Sequence, residues 1–543
     1  MSAVQDQENI VIVGAGPVGL TLAIDLAARG VKCVVLEMRA ENAPAHPKCN
    51  TVSARSMEIF RRFGIADEIR QQGLPADYPC DVVYATRYTR NELGRLPIPS
   101  WSERFSGRGH DAGWPTDEPP HRVSQLFLEP VLRAKAASVP HIELRYETEL
   151  LSLEQDNNQV TLVTRDVASG SENTLRASYV IGCDGGRSVV RHEIGVPLEG
   201  DDNLGRIKSI FLKSDSLKEK EQLAPAWMTW VINAEQAGTM VALDGKELFL
   251  CHCRIPADVS FDGFDPVEGV CGVTGVDFDF EILAEEDWIA RRLVAKKYGK
   301  GRVYLAGDAA HNWLPFAGFG MNAGIEDAIT LSWRLAAINN GWASEELLAS
   351  YEAERRPVGE QVSRAAMHLA QNQAPPEIPA ALEDDTEEGA GLRAFVGAAL
   401  VERDGPQFNP IGLNFGVPYE GSDVIISDDE EPPEFGIDLY TPSTVPGCRV
   451  PHLIFPDGSS LYDQLGPEFT LIRKNKSLDI TIFTKAAQRQ GMPLEVLDIP
   501  LGDQMPYDRE LVLVRPDQRI AWRGDSVPAD VGTLIEQVCG VFA

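Results

Sequence analysis

The first forty residues alternate between short apolar runs and an apolar helical pattern. Residues 10–13 are β-branched and apolar, which is typical of a buried parallel strand. A glycine-rich turn at 14–19 precedes a helical pattern over 20–29, which ends at Gly30. Residues 32–37 form a second strand-like run. The pattern predicts a βαβ unit with a parallel sheet.

Three later stretches predict further units. Residues 207–282 show strand-like alternation and many tryptophan and phenylalanine residues, which favours a separate antiparallel sheet. Residues 302–311 return to a buried strand that ends in Gly-Asp, and a helix is predicted over 325–339. After about residue 441 a small α/β pattern begins. A chain of 543 residues exceeds one hydrophobic core, so we expect two or three domains.

The charge of the chain excludes some partners. The formal net charge is −31 and the sequence pI is about 4.7. Such a surface repels nucleic acid and anionic membranes, so neither is an expected partner. No apolar run is long enough to cross a bilayer, and the first residues lack a secretory pattern. We therefore expect a cytoplasmic protein.

The nine cysteines form no disulfide framework, and no Cys-x-x-Cys occurs. This usage fits a reducing compartment. Cys251, His252 and Cys253 are consecutive on a predicted strand, where side chains alternate between faces. Three such residues cannot all reach one metal ion, so no metal site is predicted.

The turn at 14–19 has the pattern of a dinucleotide-binding loop. Gly14 allows a tight turn, Gly16 lets the backbone approach a pyrophosphate, and Gly19 lets the helix pack close to the strand. Unpaired N–H groups at the helix N-terminus would bind the phosphates. Glu37 ends the second strand where a ribose-binding carboxylate is expected, and it disfavours a 2′-phosphate, although Arg39 lies close by. This loop alone does not distinguish NAD from FAD.

Two distant segments distinguish them. Residues 179–191 (YVIGCDGGRSVVR) and 302–328 (RVYLAGDAAHNWLPFAGFGMNAGIEDA) resemble the second and third fingerprints of the FAD-dependent aromatic hydroxylases, the group A flavoprotein monooxygenases. The resemblance covers about the first 370 residues. The tail from about residue 441 is similar to the thioredoxin-like domain of the phenol and polyketide hydroxylase branch, without the Cys-x-x-Cys of dithiol chemistry.

The resemblance implies an α/β fold with a Rossmann-like FAD-binding domain, an inserted antiparallel-sheet substrate domain and a C-terminal thioredoxin-like domain. The FAD-binding domain is expected over residues 1–370, discontinuous, with inserted substrate-domain segments at about 75–106 and 196–285. Residues 371–440 are acidic and proline-rich and are expected to form a linker or a surface-wrapping segment. The thioredoxin-like domain is expected over 441–543. Its expected role is structural, either in stability or in the contacts of a homodimer.

The resemblance also implies roles for individual residues. Asp308 is expected to hold a ribityl or ribose hydroxyl, and Pro315 to lie beside the reacting face of the flavin. Backbone N–H groups at Met321 and Asn322 are expected to meet the pyrimidine edge of the flavin. The remaining residues expected to contact the cofactor are Lys48, Gln125, Asp184 and Gly320. Lys48 could instead be an ordinary solvated lysine. Arg187 and Arg191 could meet the phosphates of NAD(P)H or support Asp184, or they could form a structural ion-pair cluster.

One departure concerns substrate deprotonation. Asn50 falls where the phenol hydroxylase branch carries an active-site aspartate, and an amide cannot act as a base. His46 and His252 are the candidate bases, although a lone histidine is more often structural. Trp227, Trp230 and Phe249 share the predicted sheet with His252. Each is an ordinary core residue by itself, and together they suit an aromatic-lined cavity.

The implied function is hydroxylation of a phenolic or related aromatic substrate by FAD, NADPH or NADH, and O2, through a flavin C4a-hydroperoxide. The alternatives are Baeyer–Villiger oxygen insertion, epoxidation or flavin reduction on the same scaffold. A flavin-binding protein without turnover is a further alternative from another class.

Overall fold

The computed structural model describes residues 8–48, 50–104, 106–107, 109–372, 378–499 and 506–542. The strands, in chain order, are β1 Glu8–Val13, β2 Cys33–Leu36, β3 Val82–Arg87, β4 Arg90–Leu96, β5 Ile142–Arg145, β6 Thr148–Gln155, β7 Val160–Asp166, β8 Glu172–Gly182, β9 Leu198–Lys213, β10 Met228–Val231, β11 Gly238–Ala242, β12 Leu248–Ile255, β13 Glu281–Ala295, β14 Gly299–Lys300, β15 Val303–Leu305, β16 His311–Trp313, β17 Phe469–Arg473, β18 Leu494–Asp498, β19 Leu511–Val514 and β20 Ile520–Gly524.

The helices, in chain order, are α1 Pro17–Ala28, α2 Ala54–Arg62, α3 Ala66–Arg70, α4 Trp101–Arg104, α5 Gln125–Ala137, α6 Val189–Glu193, α7 Leu217–Lys220, α8 Pro266–Thr274, α9 Phe319–Asn339, α10 Ala349–Asn372, α11 Glu387–Phe408, α12 Ile411–Phe415, α13 Leu461–Gln464, α14 Thr481–Gln490 and α15 Val531–Val538. Short 3₁₀ turns include Gly307–Ala309 and Phe316–Gly318. Among the helices described here, none is both long and apolar enough to cross a bilayer.

The first sheet contains the predicted βαβ unit. Its strand order is β14-β15-β8-β1-β2-β5, and β6 and β7 extend it from β8. The pairs of β1 with β2, β1 with β8, β8 with β15 and β2 with β5 are parallel. Helices α1 and α9 pack together through close contacts of Gly324 and Gly307 with Val18. Residues 10–13 of β1 and all of β2 are apolar and buried, because helices and neighbouring strands cover them on both faces.

The second sheet has the order β16-β13-β9-β12-β11-β10-β3-β4. Its pairs are antiparallel as predicted, with one exception between β3 and β10. The long stretch of chain between β3 and β10 permits this parallel pairing, which a short turn would not. The face that carries Phe249, Cys251 and Cys253 is buried and lies under helix α8.

The third sheet has the order β18-β17-β19-β20 and contains a βαβ unit followed by a ββα unit. Its β19–β20 turn inserts into the first unit, where the two terminal guanidinium nitrogens of Arg515 donate to Glu354 at 2.6 and 2.7 Å. Trp333 donates to Asp517 at 3.2 Å, and all these side chains are buried. The C-terminal unit is therefore tied to the first unit by buried charges, and its thioredoxin-like assignment stays a prediction.

The acidic segment expected to be a linker contains the 22-residue helix α11. A Cβ added at Gly397 of this helix would lie 1.7 Å from the Leu93 carbonyl oxygen of β4. Tyr84 of β3 donates to Asp404 of α11 at 2.7 Å. This part of the segment therefore packs against the second sheet. Residues 373–377, at the start of the expected linker, lie outside the described residues.

Candidate functional site

Three glycine-containing segments meet at the carboxyl edge of the first sheet. Val13, at the end of β1, pairs with Gly182 of β8, and Gly182 pairs with Leu305 of β15. All three strands run in one direction, so the loops that follow them leave the sheet side by side. Ligands of open α/β sheets bind at this edge. Segments that are more than 100 residues apart in sequence thus form one continuous surface.

The loop between β1 and α1 has the geometry of a phosphate cradle. Gly14 has a φ of 105°, and a Cβ there would lie 2.5 Å from the Cys183 carbonyl oxygen. A Cβ at Gly19 would lie 2.0 Å from the Gly14 carbonyl oxygen. At Gly16, by contrast, no atom lies within 4 Å of the position of a Cβ. Gly16 also precedes a helix without a side-chain cap, so the N–H groups of its first turn face an open surface.

Glu37 lies beside this loop and is already hydrogen-bonded. It accepts from Ala15 N–H at 2.9 Å, and from the Arg39 N–H and Nε at 3.0 Å each. Burial favours a higher pKa for Glu37, but the bonds from Arg39 hold its pKa below the ordinary value. Arg39 also donates to Glu129 at 3.0 Å, and Gln125 donates to Glu129 at 3.1 Å. Arg39 is thus shared by two carboxylates, which leaves little positive charge for a 2′-phosphate.

Asp184 and Arg191 organise the second segment. Asp184 accepts from the Ser188 hydroxyl at 2.6 Å and from Val190 N–H at 3.1 Å, at the start of α6. Burial raises the pKa of Asp184 above its ordinary value. Arg191 donates to the Ala309 carbonyl at 3.0 Å and so connects the second segment to the third. These contacts hold the turns together, and a cofactor contact by Asp184 stays a prediction.

Asp308 follows β15 at the same edge. Protein surrounds it on most sides, and burial raises its pKa above the ordinary value. The residue is nevertheless exposed to solvent. Within the described part of the chain, the Asp308 carboxylate has no hydrogen-bond partner. It is therefore free to accept from a hydroxyl group.

A buried charge network supports the Gly307–Asp308 turn from behind. Asp327 of α9 accepts from Gly307 N–H at 3.1 Å, His311 Nε2 at 2.7 Å and Arg355 Nε at 2.7 Å. Burial favours a higher pKa, but Arg355 and His311 hold the pKa of Asp327 below its ordinary value. Its charge is therefore paired at neutral pH, and the turn has one fixed geometry.

The N-terminus of α9 is open and is fixed by Asn322. No side chain caps this helix, which follows Gly318 with a φ of 68°. The Asn322 side chain accepts from Ser53 N–H at 2.9 Å and donates to the Thr51 carbonyl at 3.0 Å. A Cβ at Gly320 would meet no atom within 4 Å. Met321 is half-buried and Pro315, just before the helix, is exposed, so this uncapped helix end is accessible from solvent.

One face of the second sheet faces this edge. Trp230 of β10 lies with its ring 6.0 Å from the ring of Phe316, next to Pro315. Four strands away, Glu286 of β13 forms an ion pair with Lys48 at 2.6 Å. The register places Trp230 opposite Thr239 of β11, Thr239 opposite His252, His252 opposite Ser209 and Ser209 opposite Glu286. Directly opposed residues share a face. His252 therefore lies between the Trp230–Phe316 contact on one side and the Glu286–Lys48 ion pair on the other.

We call this space the chamber: it is the region under Trp230, Thr239, His252, Ser209 and Glu286, next to Phe316 and Lys48. At about 4.8 Å per strand, Trp230 and Glu286 are about 19 Å apart across it. Phe249 does not line the chamber, because it alternates with His252 and packs edge-on against Tyr88 at 6.4 Å. Trp227 is buried under the guanidinium of Arg122, 4.4 Å away.

The two candidate bases differ in their surroundings. His46 is exposed on the loop that leads to Lys48, with no partner among the described residues. His252 is half-buried and bonded to the Ser209 hydroxyl through Nδ1 at 2.7 Å. Burial lowers the pKa of His252 to about 4. Asn50 keeps a buried amide oxygen without a hydrogen-bond partner in the described structure.

Sequence reasoning missed the groups that support the site. Asp327 had a usable signal, since it is a charge that precedes a long buried stretch of α9, whereas Arg355 lies among the charged residues Glu352, Glu354 and Arg356 and had none. Ser209 and Trp288 also had no usable signal in the sequence. A serine and a tryptophan on separate strands do not indicate a site until the strand register is known to bring them together.

Comparisons with known proteins identify the family of this chain. Residues 7–366 match the FAD binding domain family. The FAD-dependent monooxygenase apdD of Emericella nidulans is 32% identical over 98% of this chain and 90% of its own. Phenol 2-monooxygenase of a Pseudomonas species is 29% identical over 98% of this chain and 92% of its own. The structure of the rebeccamycin biosynthetic enzyme RebC with reduced flavin has a TM-score of 0.90 at 32% identity, covering 99% of both chains. The chain therefore belongs to the FAD-binding domain family of the FAD-dependent monooxygenases.

Proposed function

We propose that this protein hydroxylates a phenolic substrate, with NADPH or NADH as reductant and O2 as the oxygen source. The overall reaction is ArH + O2 + NAD(P)H + H⁺ → ArOH + NAD(P)⁺ + H2O. One observation carries the proposal: two uncapped helix N-termini and a free carboxylate converge at one sheet edge, directly beside the chamber.

The residues at the edge fit FAD in its extended form. The open side of Gly16 and the first turn of α1 would accept the pyrophosphate, and Glu37 the adenosine ribose. Asp308 would accept a ribityl hydroxyl, and the first turn of α9 would lie against the pyrimidine edge. When bound, FAD supplies the redox chemistry: it takes two electrons from NAD(P)H and activates dioxygen.

The chain itself contributes positioning and a dry setting. The N–H groups and positive dipole end of α9 would stabilise negative charge on the flavin ring. Pro315 and Phe316 form the loop that faces the sheet, and Trp230 packs on that loop and excludes water. No protein nucleophile is required. Relatives named phenol 2-monooxygenase and 2,4-dichlorophenol 6-monooxygenase act on phenols, which favours an electron-rich aromatic ring in the chamber of this protein.

The test uses purified full-length protein. We expect it to be yellow, or to become so with FAD, and to oxidise NAD(P)H several-fold faster with a suitable phenol than without. Products formed under ¹⁸O2 should gain one labelled oxygen atom. A protein that does not bind FAD contradicts the cofactor assignment. A yellow protein whose NAD(P)H oxidation no phenol accelerates contradicts the proposed reaction.

A further inference from the structure

His252 lies at the middle of the chamber, and its ring is held by two partners. The Trp288 indole N–H donates to Ser209 Oγ at 2.7 Å, and Ser209 Oγ lies 2.7 Å from His252 Nδ1. The indole also packs edge-on against the imidazole, with centroids 6.3 Å apart. Trp288, Ser209 and His252 come from three neighbouring strands, β13, β9 and β12, on the same face.

This arrangement determines which ring nitrogen carries the proton. Ser209 is only 8% exposed, and its hydroxyl has a single proton to donate. Trp288 can only donate, so the Ser209 proton has His252 Nδ1 as its one acceptor among the described residues. The opposite tautomer would leave this buried hydroxyl proton without an acceptor, which costs about 1–3 kcal/mol. In neutral His252 the proton is therefore on Nε2.

Nε2 is free to bind a ligand. His252 is half-buried, and no residue that the structure describes bonds to Nε2. The neighbouring groups across the sheet are the Trp230 ring on one side and the Lys48–Glu286 pair on the other. Each is about 10 Å from His252 at two strand spacings. An N–H donor thus lies on the same sheet face as the rings of Trp230 and Trp288, where an oxygen atom on a ring substrate is its natural acceptor.

We propose that His252 is a specificity-determining residue, whose Nε2–H donates to the hydroxyl oxygen of the phenolic substrate and so selects phenols over their ethers and unsubstituted rings. This inference rests on the proposed function. Ser209 and Trp288 are positioning residues that hold the tautomer and the ring orientation. With its lowered pKa of about 4, His252 stays neutral at pH 7 and is a poor base, which agrees with a donor role.

The role follows from the chemistry of ring hydroxylation. An electron-rich ring reacts best when negative charge develops on its oxygen, and a fixed N–H stabilises that charge without removing the proton itself. The bond also orients the ring, because the position of the oxygen determines which ring carbon lies towards the flavin edge. A methyl ether has a weaker and more hindered acceptor oxygen, so it gains less from the same donor.

The experiment compares a phenol that accelerates NAD(P)H oxidation with its O-methyl ether, in the FAD-loaded enzyme. Binding of each is followed by the change in the flavin absorption spectrum, and turnover by product formed per NAD(P)H consumed. The variants are His252→Phe, which keeps a ring without a donor, His252→Gln, which keeps a donor near Nε2, and Ser209→Ala. His192→Phe is the matched control, since His192 is 86% exposed on α6.

We expect His252→Phe to lower phenol affinity about tenfold, as for the loss of one buried hydrogen bond, and to leave ether affinity within about twofold. Less product should form per NAD(P)H consumed. His252→Gln should recover part of the preference for the phenol, and Ser209→Ala should lose part of it. His192→Phe should behave as wild type, and FAD content should be unchanged in all variants. The melting temperatures of His252→Phe and Ser209→Ala should fall modestly, because each leaves a hydrogen-bonding group of the Trp288–Ser209–His252 set without its partner.

Three results would overturn the inference. If the wild type hydroxylates the phenol and His252→Phe keeps the preference for the phenol over the ether, the role of His252 is wrong and the proposed function still stands. Equal loss of phenol and ether binding shows that His252 only fills space, and it overturns the donor role. If no phenol accelerates the wild-type enzyme, the proposed function fails first, and the inference fails with it. These outcomes are distinguishable because binding and turnover are measured separately.

Discussion

The carboxyl edge of the first sheet and the chamber face of the second sheet meet at one place, but they are built differently. The edge uses backbone groups: glycines with open approaches, N–H groups of two helix N-termini and one free carboxylate. The chamber uses side chains from five strands and from the loops of Lys48 and Phe316. The edge is therefore encoded in short contiguous motifs, and the chamber in residues that only the sheet register brings together.

This difference suggests different tolerances. A shared cofactor needs one backbone geometry, which a change at a glycine breaks outright. A substrate site on sheet side chains can change residue by residue without disturbing the fold. The following predictions test this contrast, from the largest expected effect to the smallest.

The largest effect is expected at the buried network behind the edge. Asp327→Ala removes the partner of Arg355 and His311 and leaves a buried arginine poorly compensated. We expect a loss of about 3–5 kcal/mol in the free energy of unfolding, together with loss of FAD. Denaturant unfolding measures the first and flavin absorbance the second. Glu326→Gln is the control, because Glu326 is partly exposed and contacts Arg355 at 3.3 Å from the rim of the network. A stable, yellow Asp327→Ala protein would contradict the supporting role.

The second prediction separates two glycines of one loop. Gly19→Ala places a Cβ 2.0 Å from the Gly14 carbonyl oxygen, so helix α1 must shift; we expect about 2–3 kcal/mol of destabilisation and loss of FAD. Gly16→Ala meets no protein atom within 4 Å, so its melting temperature should stay near wild type. Its Cβ projects towards the cradle, so FAD affinity should fall about tenfold or more. Equal FAD affinity in Gly16→Ala and wild type would show that the pyrophosphate lies elsewhere.

These glycines belong to the part of the molecule that local sequence patterns predict. The βαβ unit, the three motif strands and the helix predicted over 325–339 follow from local patterns, because each depends on neighbours in the chain, although that helix begins six residues earlier, at Phe319. The parallel pairing of β3 with β10 did not follow, since no local pattern records which distant strand completes a sheet. The Trp288–Ser209–His252 group was invisible for the same reason. The fold of α11 on β4 was obscured by an acidic composition typical of linkers.

The third prediction concerns pH and the chamber. Burial lowers the pKa of His252 from its ordinary 6.5 to about 4, so the unfolded chain binds one more proton than the folded chain between these values. The contribution of His252 to stability is therefore fully present above pH 6.5 and falls as the pH drops towards 4, by at most about 1.4 kcal/mol per pH unit. His252→Phe should lose this slope relative to wild type. Denaturant unfolding from pH 4 to 7 measures the difference, and parallel curves would contradict the buried, neutral imidazole.

The smallest effect is expected at the rim. Lys48 is 53% exposed and pairs with Glu286, which is 40% exposed, so the pair is largely screened by solvent. Lys48→Met should change the free energy of unfolding by less than about 1 kcal/mol. FAD affinity should also stay close to wild type, because the backbone edge is intact. A large loss of FAD in Lys48→Met would show that side chains of the chamber rim also hold the cofactor, and the contrast between the two regions would fail.

The most direct test of the central claim is a crystal structure of the protein loaded with FAD. We predict the pyrophosphate within hydrogen-bonding distance of the N–H groups that follow Gly16, a ribityl hydroxyl at Asp308, and the flavin ring between the first turn of α9 and the chamber. Density for FAD away from the Gly14–Gly19 loop, or a flavin ring that does not reach Pro315, would contradict the account.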